Sequence, residues 1–230
     1  MKAWNWDGFF EYLVNPYLLQ GAAVTLGLTV AAIAGGLVVG CLLSLLRLSN
    51  YKWLVMIAKG YIWVFRGTPL LVQLIIIYTG LPQMGIKFTV MESALLGLVL
   101  NEAAYLAEII RGGIMGVASD QGNAARALGL NSAQSMVYVI LPQAVRIIIP
   151  ALGNSVNGLL KTTSVTSVIS MEELLRKTQI LIQEKFLVLE LFAVAALYYL
   201  LMTSVWDVIQ RRIEARFGRA YQSVTVTESH

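Results

Sequence analysis

The chain has 230 residues, of which 57% are hydrophobic and only 13% are charged, and its mean hydropathy is +0.70. A soluble domain carries about 25% charged residues, so this composition excludes an ordinary water-soluble protein and indicates an all-α integral membrane protein. The net charge of +4 fits basic residues that flank membrane spans and gives no reason to expect nucleic-acid binding.

Apolar segments follow one another along the chain and predict about five membrane helices, since about 20 helical residues cross a bilayer core. An aromatic-rich segment at 4–12 comes first and predicts an interfacial belt, because it lacks the apolar run of a signal peptide. We expect the second span to bend near Pro69 and the fourth to continue irregularly beyond its end. The expected spans lie at about 18–46, 57–81, 93–110, 133–152 and 186–206. No repeat or linker divides them, so residues 1–230 are predicted to form one membrane domain.

The basic residues predict an orientation. Lys and Arg are more frequent in the connections on the side of the C-terminus, and "RRIEARFGR" at 211–219 is the densest cluster. The positive-inside rule then predicts a cytoplasmic C-terminus and an N-terminus outside. On this topology residues 121–131 face the cytoplasm.

The segment at 121–144, "QGNAARALGLNSAQSMVYVILPQA", is too polar to be one more span and predicts a short helix at about 119–131. Ser119 is expected to cap its start, and Gly129 is suited to its exit. Ala124, Ala125 and Leu128 recur at helical spacing and predict a small apolar face. From this pattern alone, a docking helix and a plain connection are equally open.

The same segment resembles the EAA loop of ABC-importer permeases, which reads Glu-Ala-Ala, three residues, Gly, nine residues, then Ile-x-Leu-Pro. Every spacing is kept here in Asn123-Ala124-Ala125, Gly129, Val139 and Leu141-Pro142, although Asn123 replaces the Glu and Val139 the Ile. Four further stretches are similar to the polar amino-acid uptake permeases of the histidine, glutamine and arginine type. They are "VFRGTPLLVQL" at 64–74, "YLAEIIRGGI" at 105–114, "ILPQAVRIIIPALGN" at 140–154 and "LLKTTSVTSVISMEEL" at 159–174.

This resemblance covers about residues 20–216 and implies the MetI-like permease fold of type I importers. It implies that the chain forms half of the pathway for a polar L-amino acid in the bacterial inner membrane. The implied partners are a cytoplasmic ATPase dimer that binds ATP and Mg²⁺, a second permease (a copy or a sister chain), and an extracytoplasmic amino-acid-binding protein. The chain itself is then expected to be no enzyme and to bind no cofactor, and its sequence has no G-x-x-x-x-G-K-[ST] loop. The residues implied to couple to the ATPase are Asn123, Ala124, Ala125, Leu128, Gly129 and Pro142.

Polar residues at membrane depth are the candidates for the pathway, because such residues are costly unless they face a cavity or a partner. Glu108 is expected to pair with Arg111. After Pro150 we expect an interrupted helix that lines a cavity, with packing through small and hydroxyl residues as the alternative. Relatives often carry acids where Ser155 and Thr162 stand, so Glu102 is expected to supply the acidic group if it faces the cavity. The candidates are Thr68, Gln73, Asn101, Glu102, Asn154, Ser155, Asn157, Lys161 and Thr162.

Two other classes of function remain open from the residues. An ion-coupled secondary amino-acid carrier would use Glu102 and Glu108 as titrating groups, but five spans without an inverted repeat count against it. A membrane-embedded enzyme is less favoured, because no nucleophile–base pattern is visible. The single cysteine, Cys41, and the single histidine, His230, predict neither a disulfide nor a metal site.

Overall fold

The computed structural model of the chain describes residues 4–218, so Arg219 of the basic cluster and His230 lie outside the described residues. The chain within these limits is built from α-helices joined by short turns. The helices are α1 (Trp6–Leu13), α2 (Pro16–Arg47), α3 (Lys52–Gly67), α4 (Leu70–Ile75), α5 (Val90–Met115), α6 (Ser119–Ala127), α7 (Ser132–Ser135), α8 (Leu141–Thr162), α9 (Leu174–Lys185) and α10 (Val188–Gly218). π-helical turns at Ile76–Gly80 and Met136–Ile140, and 3₁₀ turns at Leu81–Met84 and Thr163–Ile169, extend several of them.

The expected spans are present. Within residues 4–218, four helical segments are long and apolar enough to cross a membrane: Pro16–Arg47, Val90–Met115, Ser132–Ile169 and Val188–Phe217. The pair Lys52–Gly67 and Leu70–Met84 makes a fifth, broken span that is bent by 102°. The prediction of about five membrane helices with a bend near Pro69 is therefore confirmed.

Local sequence explains where the broken and the regular spans begin. Thr68 precedes a proline and takes extended angles (φ −119°, ψ 145°), because a residue before proline is disfavoured in the helical region. α2 starts at Pro16, and the Asn15 side chain accepts a hydrogen bond from the Tyr17 amide at 2.9 Å. α5 starts with a capping box in which Thr89 and Glu92 bond to each other's backbone amides.

Small residues bring α2 and α5 into close contact. A Cβ placed on Gly40 would lie 3.0 Å from the Leu106 Cβ and 3.1 Å from the Ala103 carbonyl oxygen and the Ala107 nitrogen. Ala103 and Ala107 are fully buried. Packing through small residues is the usual means by which helices associate in lipid, and it fixes α5 against the rest of the bundle.

The expectation that the fourth span becomes irregular after Pro150 is wrong. α8 runs through Pro150 and two glycines to Thr162, and only then tightens into a 3₁₀ turn. Membrane helices tolerate such residues where neighbouring groups satisfy the backbone. Here the Trp206 indole of α10 donates to the Gly153 carbonyl oxygen at 2.8 Å.

The short helix α9 was not predicted, and a buried carboxylate fixes its start. The Glu173 carboxylate accepts hydrogen bonds from the amides of Leu175 (2.9 Å) and Arg176 (2.8 Å) and from the Tyr199 hydroxyl of α10 (3.0 Å). Glu173 is fully buried. Burial raises its pKa, and the three hydrogen bonds partly oppose that rise. Glu173 belongs to the connection between the fourth and fifth spans, and its carboxyl group joins α9 to α10.

Candidate functional site

The short helix predicted at 119–131 is present as α6, but it ends at Ala127. Its exit has the geometry expected for Gly129, whose φ is +86°. The Gly129 amide donates to the Arg126 carbonyl at 2.9 Å, and the Leu130 amide donates to the Ala125 carbonyl at 3.1 Å. This pair of bonds is a Schellman motif, so the prediction for Gly129 is confirmed.

The start of α6 differs from the expectation. Ser119 is the first helical residue instead of the cap, and Ala118 occupies the cap position without a side-chain hydrogen bond. A serine inside the first turn cannot accept from the amides ahead of it as a cap does. The start of α6 therefore depends on packing against the rest of the chain.

The side chains of α6 divide into an inner and an outer set. Ala125 is buried at 3% exposure, whereas Leu128 is 84% exposed and Ala124 is also exposed. Asn123 is exposed, and its side-chain oxygen accepts from Arg126 at 2.7 Å. We call Asn123, Ala124 and Leu128 the outer face of α6; it leaves an apolar leucine without cover in the described chain.

Two glutamines and a proline connect α6 to the fourth span. The Gln143 amide donates to the Gln121 side chain at 3.3 Å and to the Val139 carbonyl at 2.9 Å. Pro142 lies in the first turn of α8, directly after the π-helical turn Met136–Ile140. A π-helical turn marks a local irregularity in a helix, so the fourth span is distorted directly before Pro142.

A polar cavity of about 530 Å³ lies where the break between α3 and α4 faces α5 and α8. Its polar lining residues are Arg66, Thr68, Asn101, Glu102, Ser155 and Thr162. Five of these six are sequence-predicted pathway candidates, and the fold brings them together from three separate segments. A larger cavity, of about 770 Å³, lies where residues 4–7 meet residues 186–190, and it contains none of the candidates.

The cavity lies near the middle of the membrane. Asn101 is 11 residues from the start of α5 at Val90 and 14 from its end at Met115, which places it about 16 Å and 21 Å from the two ends at 1.5 Å per residue. Its amide donates to the Phe65 carbonyl at 3.1 Å, so the end of α3 lies at the same depth. Arg66, which is not among the sequence-predicted candidates, is therefore a cavity residue that sequence reasoning missed.

Two side-chain amides hold the break between α3 and α4. The Gln73 amide donates to the carbonyl oxygens of Phe65 (3.0 Å) and Thr68 (3.1 Å), and the Asn101 amide donates to Phe65 and to the Gln73 side-chain oxygen (both 3.1 Å). We call this pair of amides the amide clasp. It satisfies carbonyl groups that the broken helix leaves without partners. Gln73 is buried and supports the wall from behind instead of lining the cavity.

Glu102 joins α5 to α8 across the cavity wall. It is buried at 6% exposure, and its carboxylate accepts a hydrogen bond from the Ser155 hydroxyl. No Lys or Arg among the described residues lies within ion-pair distance of it. The carboxylate that the sequence assigned to the cavity is thus at the wall, with a neutral partner.

The remaining three candidates lie on other faces of α8. Asn154 and Lys161 are exposed, and Asn157 donates to the Asp207 carboxylate of α10 at 2.6 Å. None of the three lines the cavity of the single chain. Their role in the pathway stays a prediction.

Glu108 forms ion pairs with two arginines. Its carboxylate lies 2.8 Å from Arg111 and 3.4 Å from Arg47 of α2. The predicted pair with Arg111 is confirmed, and Arg47 is an additional partner. A carboxylate held between two guanidinium groups has a structural role in joining α2 to α5.

A bundle of membrane helices with a polar cavity at mid-depth, and with a short helix outside the spans, has the architecture of a transporter subunit. Residues 32–219 match the sequence profile of the family described as "Binding-protein-dependent transport system inner membrane component", and the chain belongs to this family. It is therefore a multi-pass membrane transport subunit, and its fold is the MetI-like permease fold.

Individual relatives agree with this assignment. The chain is 37% identical to the probable amino-acid ABC transporter permease protein YckA of Bacillus subtilis, over 91% of this chain and 96% of the relative. It is 38% identical to the glutamine transport system permease protein GlnP of Escherichia coli, over 92% and 97% of the two chains. A solved structure described as "Crystal structure of an amino acid ABC transporter with histidines" superposes with a TM-score of 0.88 at 37% identity, covering 94% of this chain and 100% of that one.

Proposed function

We propose that the chain forms half of the translocation pathway of an ATP-driven importer for a polar L-amino acid. The observation that carries this proposal is the mid-membrane cavity, in which Glu102, Ser155, Asn101, Thr68 and Thr162 offer charge and hydrogen bonds. Cavities with a few convergent polar groups are the usual ligand sites of proteins. The names of the relatives, which are amino-acid and glutamine permeases, support a substrate of this class.

The cytoplasmic ATPase of this importer docks on α6. Its contact surface consists of the outer face, Asn123, Ala124 and Leu128, and the helix exit at Gly129. Ala125 is buried and holds α6 against the rest of the chain, and Pro142 lies at the start of the span that follows. Leu128 is 84% exposed, and a leucine in this setting gains free energy when a partner covers it. Two such ATPases bind ATP and Mg²⁺, a second permease completes the pathway, and a binding protein delivers the amino acid on the other side. This arrangement requires α6 and the C-terminus in the cytoplasm and the N-terminus outside.

Within the cavity, Glu102 meets a cationic group of the substrate. Thr68, Asn101, Ser155 and Thr162 supply hydrogen bonds, and Gln73 holds the wall. A cationic or neutral polar amino acid is therefore preferred over an acidic one. Asn154 and Lys161 are exposed on another face of α8, where a second permease would border the same pathway. Asn157 contributes by holding α8 against α10 through Asp207.

An ion-coupled carrier that uses Glu102 and Glu108 is the second candidate function. The two arginines on Glu108 count against it, because a group that binds and releases ions needs to be free of permanent partners. The test is reconstitution in proteoliposomes with the candidate ATPase and binding protein, measuring uptake of labelled arginine, glutamine and glutamate. We expect uptake only with ATP inside the compartment that holds the ATPase. Uptake by this chain alone, driven by an ion gradient, would instead establish the carrier.

A further inference from the structure

We infer that Arg66 and Glu102 form a two-charge site, in which Arg66 binds the carboxylate of the amino acid and Glu102 binds its cationic group. This inference rests on the proposed function and adds the residue that recognises the carboxylate. It also names the chemical class of the ligand, which is a zwitterion with a free carboxylate.

The position of Arg66 is the first observation. It lies at the C-terminal end of α3, at the depth of Asn101, and its guanidinium group is 5.2 Å from the centre of the Tyr105 ring of α5. Both side chains border the cavity. A charged residue at this depth is costly and is expected to have a functional partner. The aromatic face orients the guanidinium but leaves its charge without a counter-ion.

The absence of an internal partner is the second observation. Within residues 4–218, neither Arg66 nor Glu102 has an oppositely charged group within 4.0 Å, although they line the same cavity. Two opposite charges that face one space without closing on each other leave room for a ligand that carries both signs. A zwitterion satisfies both groups in one binding event, which offsets the desolvation of each charge.

Other basic residues do not fit this role. Arg111 and Arg47 are both engaged with Glu108. Lys161, a sequence-predicted pathway candidate, does not line the cavity. Arg66 is the basic residue that lines the cavity of the described chain.

The test removes the carboxylate from the ligand and the guanidinium from Arg66, separately and together, and compares the binding affinities. L-arginine and L-argininamide have the same side chain and α-amino group, and the amide carries a neutral carboxamide in place of the carboxylate. Binding is measured below neutral pH, so that the α-amino groups of both ligands are protonated. Their binding is measured at equilibrium on the permease–ATPase complex in nanodiscs, without the binding protein, so that only the cavity discriminates. We expect the wild-type complex to bind the acid about tenfold or more tightly than the amide, as for a charge-assisted hydrogen bond.

In Arg66→Gln, the acid should bind as weakly as the amide, while binding of the amide should stay at its wild-type level. Arg66→Lys keeps the charge and should retain part of the preference. Lys59→Gln removes the same charge from an exposed residue on α3 outside the cavity lining, and it should behave as wild type. Glu102→Gln should weaken the acid and the amide by the same factor, because both ligands keep their cations.

An unchanged ratio of acid to amide in Arg66→Gln would overturn the inference and would assign Arg66 to a lipid phosphate or to a second permease. Loss of the ratio in Lys161→Gln, but not in Arg66→Gln, would overturn it in favour of Lys161. The proposed function has its own test in ATP-dependent uptake by the wild-type complex. If the wild-type complex takes up the amino acid but Arg66→Gln leaves the acid-to-amide binding ratio unchanged, only the two-charge site is refuted. If the wild-type complex shows neither uptake nor binding, the proposed function is refuted as well.

Discussion

The exit of α6 allows a prediction that separates coupling from folding. Gly129→Ala adds one Cβ at a residue whose φ is +86°, with nothing within 4 Å of the new atom. The cost is therefore backbone strain and not a clash, and it amounts to about 1–2 kcal/mol for an L-residue in the left-handed region. A free energy of this size changes an equilibrium about 5- to 30-fold.

The strain is expected to act on docking because α6 has only nine residues and is marginal without its packing. If the exit relaxes to negative φ, the Schellman bonds break and the outer face turns away from the ATPase. We expect Gly129→Ala to lower ATP hydrolysis stimulated by the binding protein at least severalfold while membrane abundance stays normal. Gly129→Asp should be worse, since it also adds a charge, and Gly129→Asn should be milder because Asn tolerates this region.

Gly122→Ala is the matched control on the same helix. Its added Cβ meets only the Ile140 side chain at an ordinary 3.8 Å, and alanine favours a helix over glycine by about 1 kcal/mol. The assay is co-purification of the ATPase and stimulated hydrolysis in proteoliposomes, after equal insertion has been verified. Normal coupling in Gly129→Asp, or equal losses in the variants at 122 and 129, would refute the reasoning and reduce α6 to a connection.

Three further predictions follow from packing, titration and charge. Gly40→Ala should lower the thermal stability of the detergent-solubilised complex, by about 1–3 kcal/mol, because backbone atoms of α5 lie 3.1 Å from the added Cβ. The control Gly27→Ala has open space around the added Cβ and should leave the stability unchanged. Equal effects of the two substitutions would contradict the close packing of α2 on α5. Burial raises the pKa of Glu173 in the folded protein. Its contribution to stability is therefore largest at a pH below the pKa it has in the unfolded chain, and it is lost as the pH rises through the pKa it has in the folded protein. The melting temperature of the wild type relative to Glu173→Gln should therefore fall with rising pH, and a constant difference would refute this. Glu102→Gln should reduce uptake of arginine more than uptake of glutamine while the complex still assembles, and unchanged uptake of both would assign Glu102 to packing.

The spans and the helix exit were predictable because they depend on local chemistry. Apolar length identified the five spans, and a proline after Thr68 identified the bend. Gly129 was predictable because few other residues accept a positive φ. The start of α6 was not predictable in this way. Ser119 satisfies the cap pattern, but the first turn begins one residue earlier than that pattern predicts.

The candidate site was predicted in part, and the errors have two physical origins. Because an irregular segment was expected after Pro150, Ser155 and Thr162 were grouped with Asn154 and Lys161 without regard to faces. A continuous helix puts residues seven apart on one side, so Ser155 and Thr162 reach the cavity and their neighbours do not. Arg66 was missed because its depth depends on the contact between Phe65 and Asn101, which joins residues far apart in the sequence.

The amide clasp has a consequence for selectivity. A wall that leaves buried polar groups for one ligand to satisfy rejects analogues strongly, since those groups then stay unpaired. Here the Phe65 and Thr68 carbonyls already accept hydrogen bonds from Gln73 and Asn101. A ligand with a different side-chain shape therefore leaves neither carbonyl without a hydrogen-bond partner. We expect this wall to accept substrates with different side-chain shapes, so that one permease can transport several related amino acids. The binding protein that delivers the substrate would then select among them.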